Sequence, residues 1–157
     1  MKNTSTHRLG RRAALIVGIP LVFLLTACGV PSNAKLGEGV RISEGTLAVT
    51  SIEERSTEDL GDLELNELDD QTPYFVEYTV EFNDGEDSIN ENFWKGKTSE
   101  GEATPVNVLD FGGEFECPGL GEIKDGKAEG CQLIMVPEGA TLESVSFGGA
   151  GTWSATD

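Results

Sequence analysis

The chain has 157 residues, and its 28 Asp and Glu outweigh its 11 Lys and Arg, for a net charge of −17. A surface this acidic argues against nucleic-acid binding, in which Lys and Arg must displace counterions, and against a broad face resting on anionic lipid. The single histidine is His7, so the body of the chain lacks the base of Ser-His-Asp and Cys-His nucleophile systems and the commonest zinc ligand.

Residues 1–27 divide into three parts. Lys2, Arg8, Arg11 and Arg12 make a basic start, which favours the cytoplasmic side of a membrane. Residues 13–26 carry no charge and are rich in Leu, Ile, Val and Ala, an apolar stretch of signal-peptide length. Gly18 and Pro20 interrupt it, and it falls short of the ~20 apolar residues of a spanning helix. It ends in Leu25-Thr26-Ala27-Cys28, which resembles the lipobox of bacterial lipoproteins. The resemblance implies cleavage between Ala27 and Cys28 and a diacylglyceryl group on the Cys28 thiol. Two acyl chains suffice for stable anchoring, at about 0.8 kcal/mol per buried methylene. The alternatives are an uncleaved signal anchor and a plain secreted protein. Arg11-Arg12 is a weak twin-arginine signal, because Ala14 stands where Phe is expected.

None of the acids and four of the Lys and Arg lie in the leader, so residues 28–157 carry −21 over 130 residues. That length suits one domain. Residues 28–39 (Cys28, Pro31, Ser32, Asn33 and three glycines) show no periodicity and read as a lipidated tether, with the domain itself spanning 40–157. Residues 46–52 carry β-branched residues and follow the Glu44-Gly45 turn signal. Residues 53–71 form an acidic insert carrying Leu60, Leu63, Leu65 and Leu68, read as a surface loop.

Residues 73–82 are the clearest strand: Tyr74, Val76, Tyr78, Val80 and Phe82 on one face, Phe75, Glu77, Thr79 and Glu81 on the other. Asn83-Asp84-Gly85 turns the chain. Residues 88–97 bring Phe93 and Trp94, and 106–111 read as a strand that Pro105 places at an edge. Residues 131–136 are a nearly continuous apolar strand, and 142–147 alternate again before Trp153. About seven short strands with frequent turns and no helix predict an all-β fold, an antiparallel β-sandwich. Cys117 and Cys131 form an isolated pair, expected as a disulfide outside the cytoplasm that ties a loop to the start of the next strand.

The stretch Thr72-Pro73-Tyr74-Phe75-Val76-Glu77-Tyr78-Thr79-Val80, then Cys117, then residues 131–140 and Val145-Ser146-Phe147, resembles small exported lipoproteins of actinobacteria. These are similar in turn to the mycobacterial immunoprotective extracellular antigen. The resemblance spans about residues 40–155 and implies an immunoglobulin-like sandwich. It carries no catalytic residues.

Several clusters invite chemistry. Glu58, Asp59, Asp62, Glu64, Glu67, Asp69 and Asp70, and separately Asp84, Glu86 and Asp87, could gather calcium, but neither follows a calcium-loop order and solvated acidic loops explain both. No metal or cofactor is expected. Phe75, Phe93 and Trp94 are candidates for an exposed binding patch. Phe75 is the most pointed, since it lies on a polar face; the alternative is cover from the leucine-bearing insert. The sequence reading is thus a lipid-anchored module on the extracytoplasmic face, meeting the membrane through Cys28 and an envelope protein or other ligand through its loops. A structural or stress-related accessory without a ligand is the alternative, and a calcium-binding acidic-loop protein the third.

Overall fold

In the computed structural model, which describes residues 32–60, 70–107 and 116–156, the alternating segments become ten β-strands and no α-helix among the described residues. They are β1 (Ser32–Ala34), β2 (Val40–Arg41), β3 (Gly45–Glu54), β4 (Gln71–Phe82) and β5 (Trp94–Thr98). The remainder are β6 (Glu102–Val106), β7 (Gly119–Leu120), β8 (Lys127–Pro137), β9 (Leu142–Phe147) and β10 (Gly151–Ser154). Residues 1–31, with Ala27 and Cys28 among them, the leucines and acids of 61–69, residues 108–115 and Asp157 lie outside the described residues.

The all-β sandwich expected from the strand pattern is the observed architecture. Its strands follow one hydrogen-bonded path, β1-β10-β9-β5-β6-β8-β4-β3-β2, with β7 added on β8. All neighbours are antiparallel except β1 and β10. The path folds over at β6. Glu102 and Ala103 pair with β5, whereas Thr104, Pro105 and Val106 pair with β8. A strand that changes partners in this way makes the corner between two packed sheets. The corner is tight: a Cβ on Gly96 of β5 would lie 2.8 Å from Ala103 Cβ and 3.0 Å from Ile134 of β8. Pro105 falls where β6 has left β5 and pairs with Ile134 of β8; of the strand expected over 106–111 only residues 106 and 107 are described, Val106 as the last residue of β6.

The two ends of the path meet again through residues 35–39, so the sandwich is nearly a closed barrel. This corrects the tether boundary. Ser32, Asn33 and Ala34 pair with Gly151, Thr152 and Trp153. Gly37 N–H donates to Val49 O at 2.7 Å, and Trp153 Nε1 donates to Glu38 O at 3.3 Å. Ala34 and Val40, on either side of that connection, are both buried in the core. A three-residue strand is too short to reveal a period, which is why the segment reads as linker.

Inside, the alternating residues of both sheets interdigitate around an aromatic cluster. Trp94 stacks at 5.0 Å from Phe147, 5.1 Å from Tyr78 and 6.5 Å from Trp153, in edge-on or tilted arrangements that suit ring quadrupoles. Leu47, Val49, Val76, Val80, Ile134, Val145 and Trp153 complete the core. The β4 alternation holds from Val76 to Phe82 but fails above it, where Pro73, Tyr74, Phe75 and Val76 are all buried. The reason is a second cluster on the outer face of that sheet, built from Phe75, Leu133, Met135, Leu60, Cys117 and Cys131. Burial on both faces also explains the unbroken apolar run of β8.

Gly45 sits where β3 starts against the end of β4, and an added Cβ would lie 2.1 Å from the carbonyl oxygen of Glu81. Gly45→Ala should therefore destabilise the domain by about 1–3 kcal/mol through overpacking against backbone. Urea unfolding followed by Trp fluorescence should show a lowered midpoint with unchanged slope.

Candidate functional site

Of the three aromatic residues expected on a binding patch, the structure brings none together at the surface with another. Phe75 is only 3% exposed, held against Leu60, Leu133 and Met135, with the Arg55 guanidinium 5.4 Å from its ring centroid. Leu60 comes from the 3-10 turn Thr57–Leu60, the start of the leucine-bearing insert. The patch is thus corrected to a covered one, by the contact that was its stated alternative. Trp94 is 1% exposed at the centre of the core, because its position on β5 faces inward. Its indole Nε1 is buried with no hydrogen-bond partner among the described residues. Phe93, one residue earlier, is 44% exposed.

Cys117 and Cys131 are disulfide-bonded across 14 residues. Cys131 is not at the start of its strand, as expected, but inside β8, which begins four residues earlier at Lys127. The bond pins the segment preceding β7 onto β8, and β7 then pairs Gly119 with Cys131 and Leu120 with Gly130. Both sulfurs lie in the outer cluster, so the bridge also supplies part of the cover over Phe75.

Below that cover, the outer face of the same sheet is open. Two contiguous depressions of about 830 and 480 Å³ run across β3, β4 and β8, sharing Thr79, Gly121 and Glu129. Their floor is small: Thr46, Ala48 and Thr50 from β3 and Thr79 from β4. One wall is the segment around Gly121, whose N–H donates to Glu129 O at 2.8 Å. A Cβ on Gly121 would meet that same oxygen at 2.7 Å, so the wall can lie this close only with glycine there. The rim is mostly carboxylate. Glu81 pairs with Lys127 at 3.3 Å and Glu122 with Lys124 at 3.0 Å. Glu77 accepts from Ser51 Oγ at 2.8 Å, and Glu77, Glu116 and Glu129 have no cation partner among the described residues. Exposed pairs of this kind are worth about 0–1 kcal/mol, so either lysine can be given up to an incoming group. The trough therefore suits an extended, polar or cationic segment laid across the sheet, with complementarity setting specificity more than affinity.

Sequence reasoning missed this surface. The alternate small residues of β3 were a legible signal for an uncrowded outer face; the wall at Gly121 was not, because it depends on the disulfide and on β7. Of the first acidic cluster, Asp62, Glu64, Glu67 and Asp69 lie outside the described residues. Asp59 caps its own turn, accepting from Ser56 N–H at 2.9 Å, and Asp84, Glu86 and Asp87 are exposed on the β4–β5 connection. No group of three or more His, Cys, Asp or Glu among the described residues is arranged to hold a metal ion.

At the inner edge of the trough, Tyr78 OH donates to Glu91 Oε1 at 3.5 Å, and the same oxygen accepts from Leu120 N–H at 2.9 Å. Burial, then the neighbouring Glu91 charge, pushes the Tyr78 hydroxyl above its ordinary 10.0. Tyr74, which donates to Glu54 at 2.9 Å, is raised for the same kinds of reason. Tyr78 lies opposite Gly130, where a Cβ would strike its ring at 2.4 Å, so the aromatic ring covers the glycine backbone of β8.

No protein-family model, no curated protein and no solved structure matches the chain.

A folded state that keeps Tyr78 and Tyr74 neutral binds more protons than the unfolded chain once pH passes about 10. Stability from these groups is therefore complete below that pH and falls as pH rises beyond it. Urea midpoints should decline in the alkaline range, and Tyr78→Phe should flatten the decline while leaving the neutral-pH midpoint close to wild type. Replacing both Cys117 and Cys131 by Ser should cost about 3 kcal/mol, from the entropy of the reopened loop. Hydrogen exchange should show the loss concentrated in β7 and the Phe75 cover.

Proposed function

We propose that the chain is a lipid-anchored, extracytoplasmic β-sandwich that acts as a non-catalytic binding or interaction module of the cell envelope. The observation that carries this reading is Leu25-Thr26-Ala27-Cys28 at the end of the apolar stretch behind four basic residues. The disulfide supports it, since such bonds persist in oxidising compartments. The resemblance to actinobacterial exported lipoproteins points the same way and offers no reactive residues. A chain without histidine after the leader, whose outer-sheet trough has a floor of small side chains and a rim of exposed carboxylates, favours contact over chemistry.

The contact surface in this proposal is the trough over β3, β4 and β8, in place of the Phe75 patch. Burial of Phe75 favours a second reading, an envelope accessory with no dedicated ligand. The two separate on one substitution. Ala48→Arg would fill the trough floor from an exposed strand face; a module loses its envelope partner in cross-linking, whereas an accessory shows no partner that depends on Ala48.

For the anchor itself, the chain recovered from membranes should begin at Cys28 with the mass of a diacylglyceryl adduct. Cys28→Ser should move it out of the membrane fraction or leave the precursor uncleaved. An unmodified Cys28 in the mature chain would remove the lipid-anchor reading.

A further inference from the structure

Between Cys28 and β1 stand only Gly29, Val30 and Pro31. A fully extended residue spans at most ~3.6 Å, so Ser32 can lie no more than about 14 Å from Cys28. An acylated Cys28 therefore holds the sandwich close against a bilayer, and what is left to decide is which surface turns toward the headgroups. β1 lies at the edge of the sheet β1-β10-β9-β5. The end of the sandwich at which β1 begins is strongly acidic. Glu44, the connection bearing Asp84, Glu86 and Asp87, and the turn bearing Glu122 and Asp125 all lie there, beside the starts of β3, β5 and β8 and the finish of β4. Anionic headgroups repel that end.

The outer face of the β1-β10-β9-β5 sheet differs from that end in charge. Ala34, Trp153, Val145 and Trp94 point into the core, which turns their strand neighbours outward. One outward row runs Asn33, Thr152, Ser146, Lys95 in register, and the next runs Ser154, Ser144, Lys97. Apart from the lysines these side chains are short hydroxyls and an amide, so the face is flat, with an open depression over Asn33, Ser144, Thr152 and Ser154. Two carboxylates reach it, and both stand beside Lys97: Glu143 accepts from Lys97 Nζ at 2.7 Å, and Glu102 is opposite Lys97 on β6. Lys95 has no carboxylate partner among the described residues, and the exposed Lys35 directly follows β1. Counting Glu38, which accepts from the Lys35 N–H at 3.0 Å, three lysines balance three carboxylates here. The outer face of the opposite sheet carries Glu77, Glu81 and Glu129, of which only Glu81 has a lysine partner among the described residues. The net charge that argues against a face resting on anionic lipid is thus unevenly divided between the two sheets.

We propose that this charge-balanced hydroxyl face lies on the headgroups of an anionic bilayer beside the acylated Cys28, so that the sheet of β3, β4 and β8 and its trough look away from the membrane. The proposal rests on the lipid-anchor reading. The two acyl chains supply the affinity; the division of charge supplies the orientation. Packed sheets stand about 10 Å apart, and the Debye length at physiological salt is about 8 Å. With the balanced face down, Glu77, Glu81 and Glu129 lie more than a Debye length above the headgroups, and their repulsion is largely screened. With the acidic end or the opposite face down, carboxylates meet anionic lipid directly. Lys95, without an ion pair, is the cation best placed to meet a lipid phosphate, and the hydroxyls around it can donate hydrogen bonds to headgroup oxygens.

The test uses the full-length chain purified from membranes, its acylation read by intact mass, in vesicles of phosphatidylcholine and phosphatidylglycerol. A nitroxide is placed on the balanced face by Ser146→Cys, with Thr152→Cys as a second site on the same face. Glu129→Cys labels the opposite sheet and Asp84→Cys the acidic end. Accessibility to oxygen and to a water-soluble nickel chelate is then compared. The expected result is a higher oxygen-to-nickel ratio at 146 and 152 than at 129 and 84, lost when the vesicles are dissolved in detergent. An acylated chain whose labels at 146 and 152 are as open to nickel as those at 129 and 84, or whose ratio is highest at 129 or 84, overturns the orientation and leaves the anchor standing. Spin–spin broadening at 146 that disappears on dilution with unlabelled chain means that a second copy covers the face, and likewise overturns it. A chain with no lipid on Cys28 overturns both.

Discussion

The pairing of β4 with β8 is the constraint on which the rest of the molecule depends. It runs from Gln71 opposite Pro137 to Glu81 opposite Lys127 without a break in register. Because side chains alternate, that single ladder commits Val76, Tyr78, Val80, Ile134 and Val136 to the inner core and Phe75, Leu133, Met135 and Cys131 to the outer face. A slip of one residue would exchange the two sets. The inner set calls for the second sheet and its tryptophans; the outer set calls for a local lid, which the 3-10 turn at Leu60 and the disulfide provide.

That outer lid divides one sheet face into two territories. Where Phe75 and Met135 are large, the face is sealed by Leu60 and Cys117. Where β3 and β4 present Thr46, Ala48 and Thr79, nothing large projects and the face stays open as a trough. The disulfide therefore has two consequences from one bond: it closes cover over the apolar half and positions the Gly119–Gly121 wall along the polar half. Stability and surface shape are coupled through Cys117 and Cys131.

At the corner, Gly96, Ala103 and Ile134 converge where β6 exchanges partners, and Gln132 settles the polar account there. Its amide nitrogen donates to Val106 O and to Leu133 O, both at 2.9 Å, at the point where β6 ends beside β8. A buried carbonyl left unpaired at that bend would cost about 1–3 kcal/mol. The same end of the sandwich holds Phe93 and the entry of β1.

By itself the sequence determined the all-β class, the principal inward faces and the pairing of its two body cysteines. Period-two alternation in residues 76–82 and 144–147 is a local property, and the cysteines had no other partner downstream of Cys28. The resemblance of Leu25-Thr26-Ala27-Cys28 to a lipobox is equally local, a string of four residues read without any fold. Tertiary structure alone decided that Phe75 is covered, that Trp94 is the hub of the core, that residues 32–39 are docked and that an open trough lies over β3 and β4. Each of these depends on which distant segment lies against a face, and alternation states only that a face is apolar or polar, never what comes to rest on it. Phe75 and Trp94 were legible as aromatic and their exposure was not, because the residues that bury them, Leu60 and Phe147, lie far away along the chain and are brought near only by the sheet.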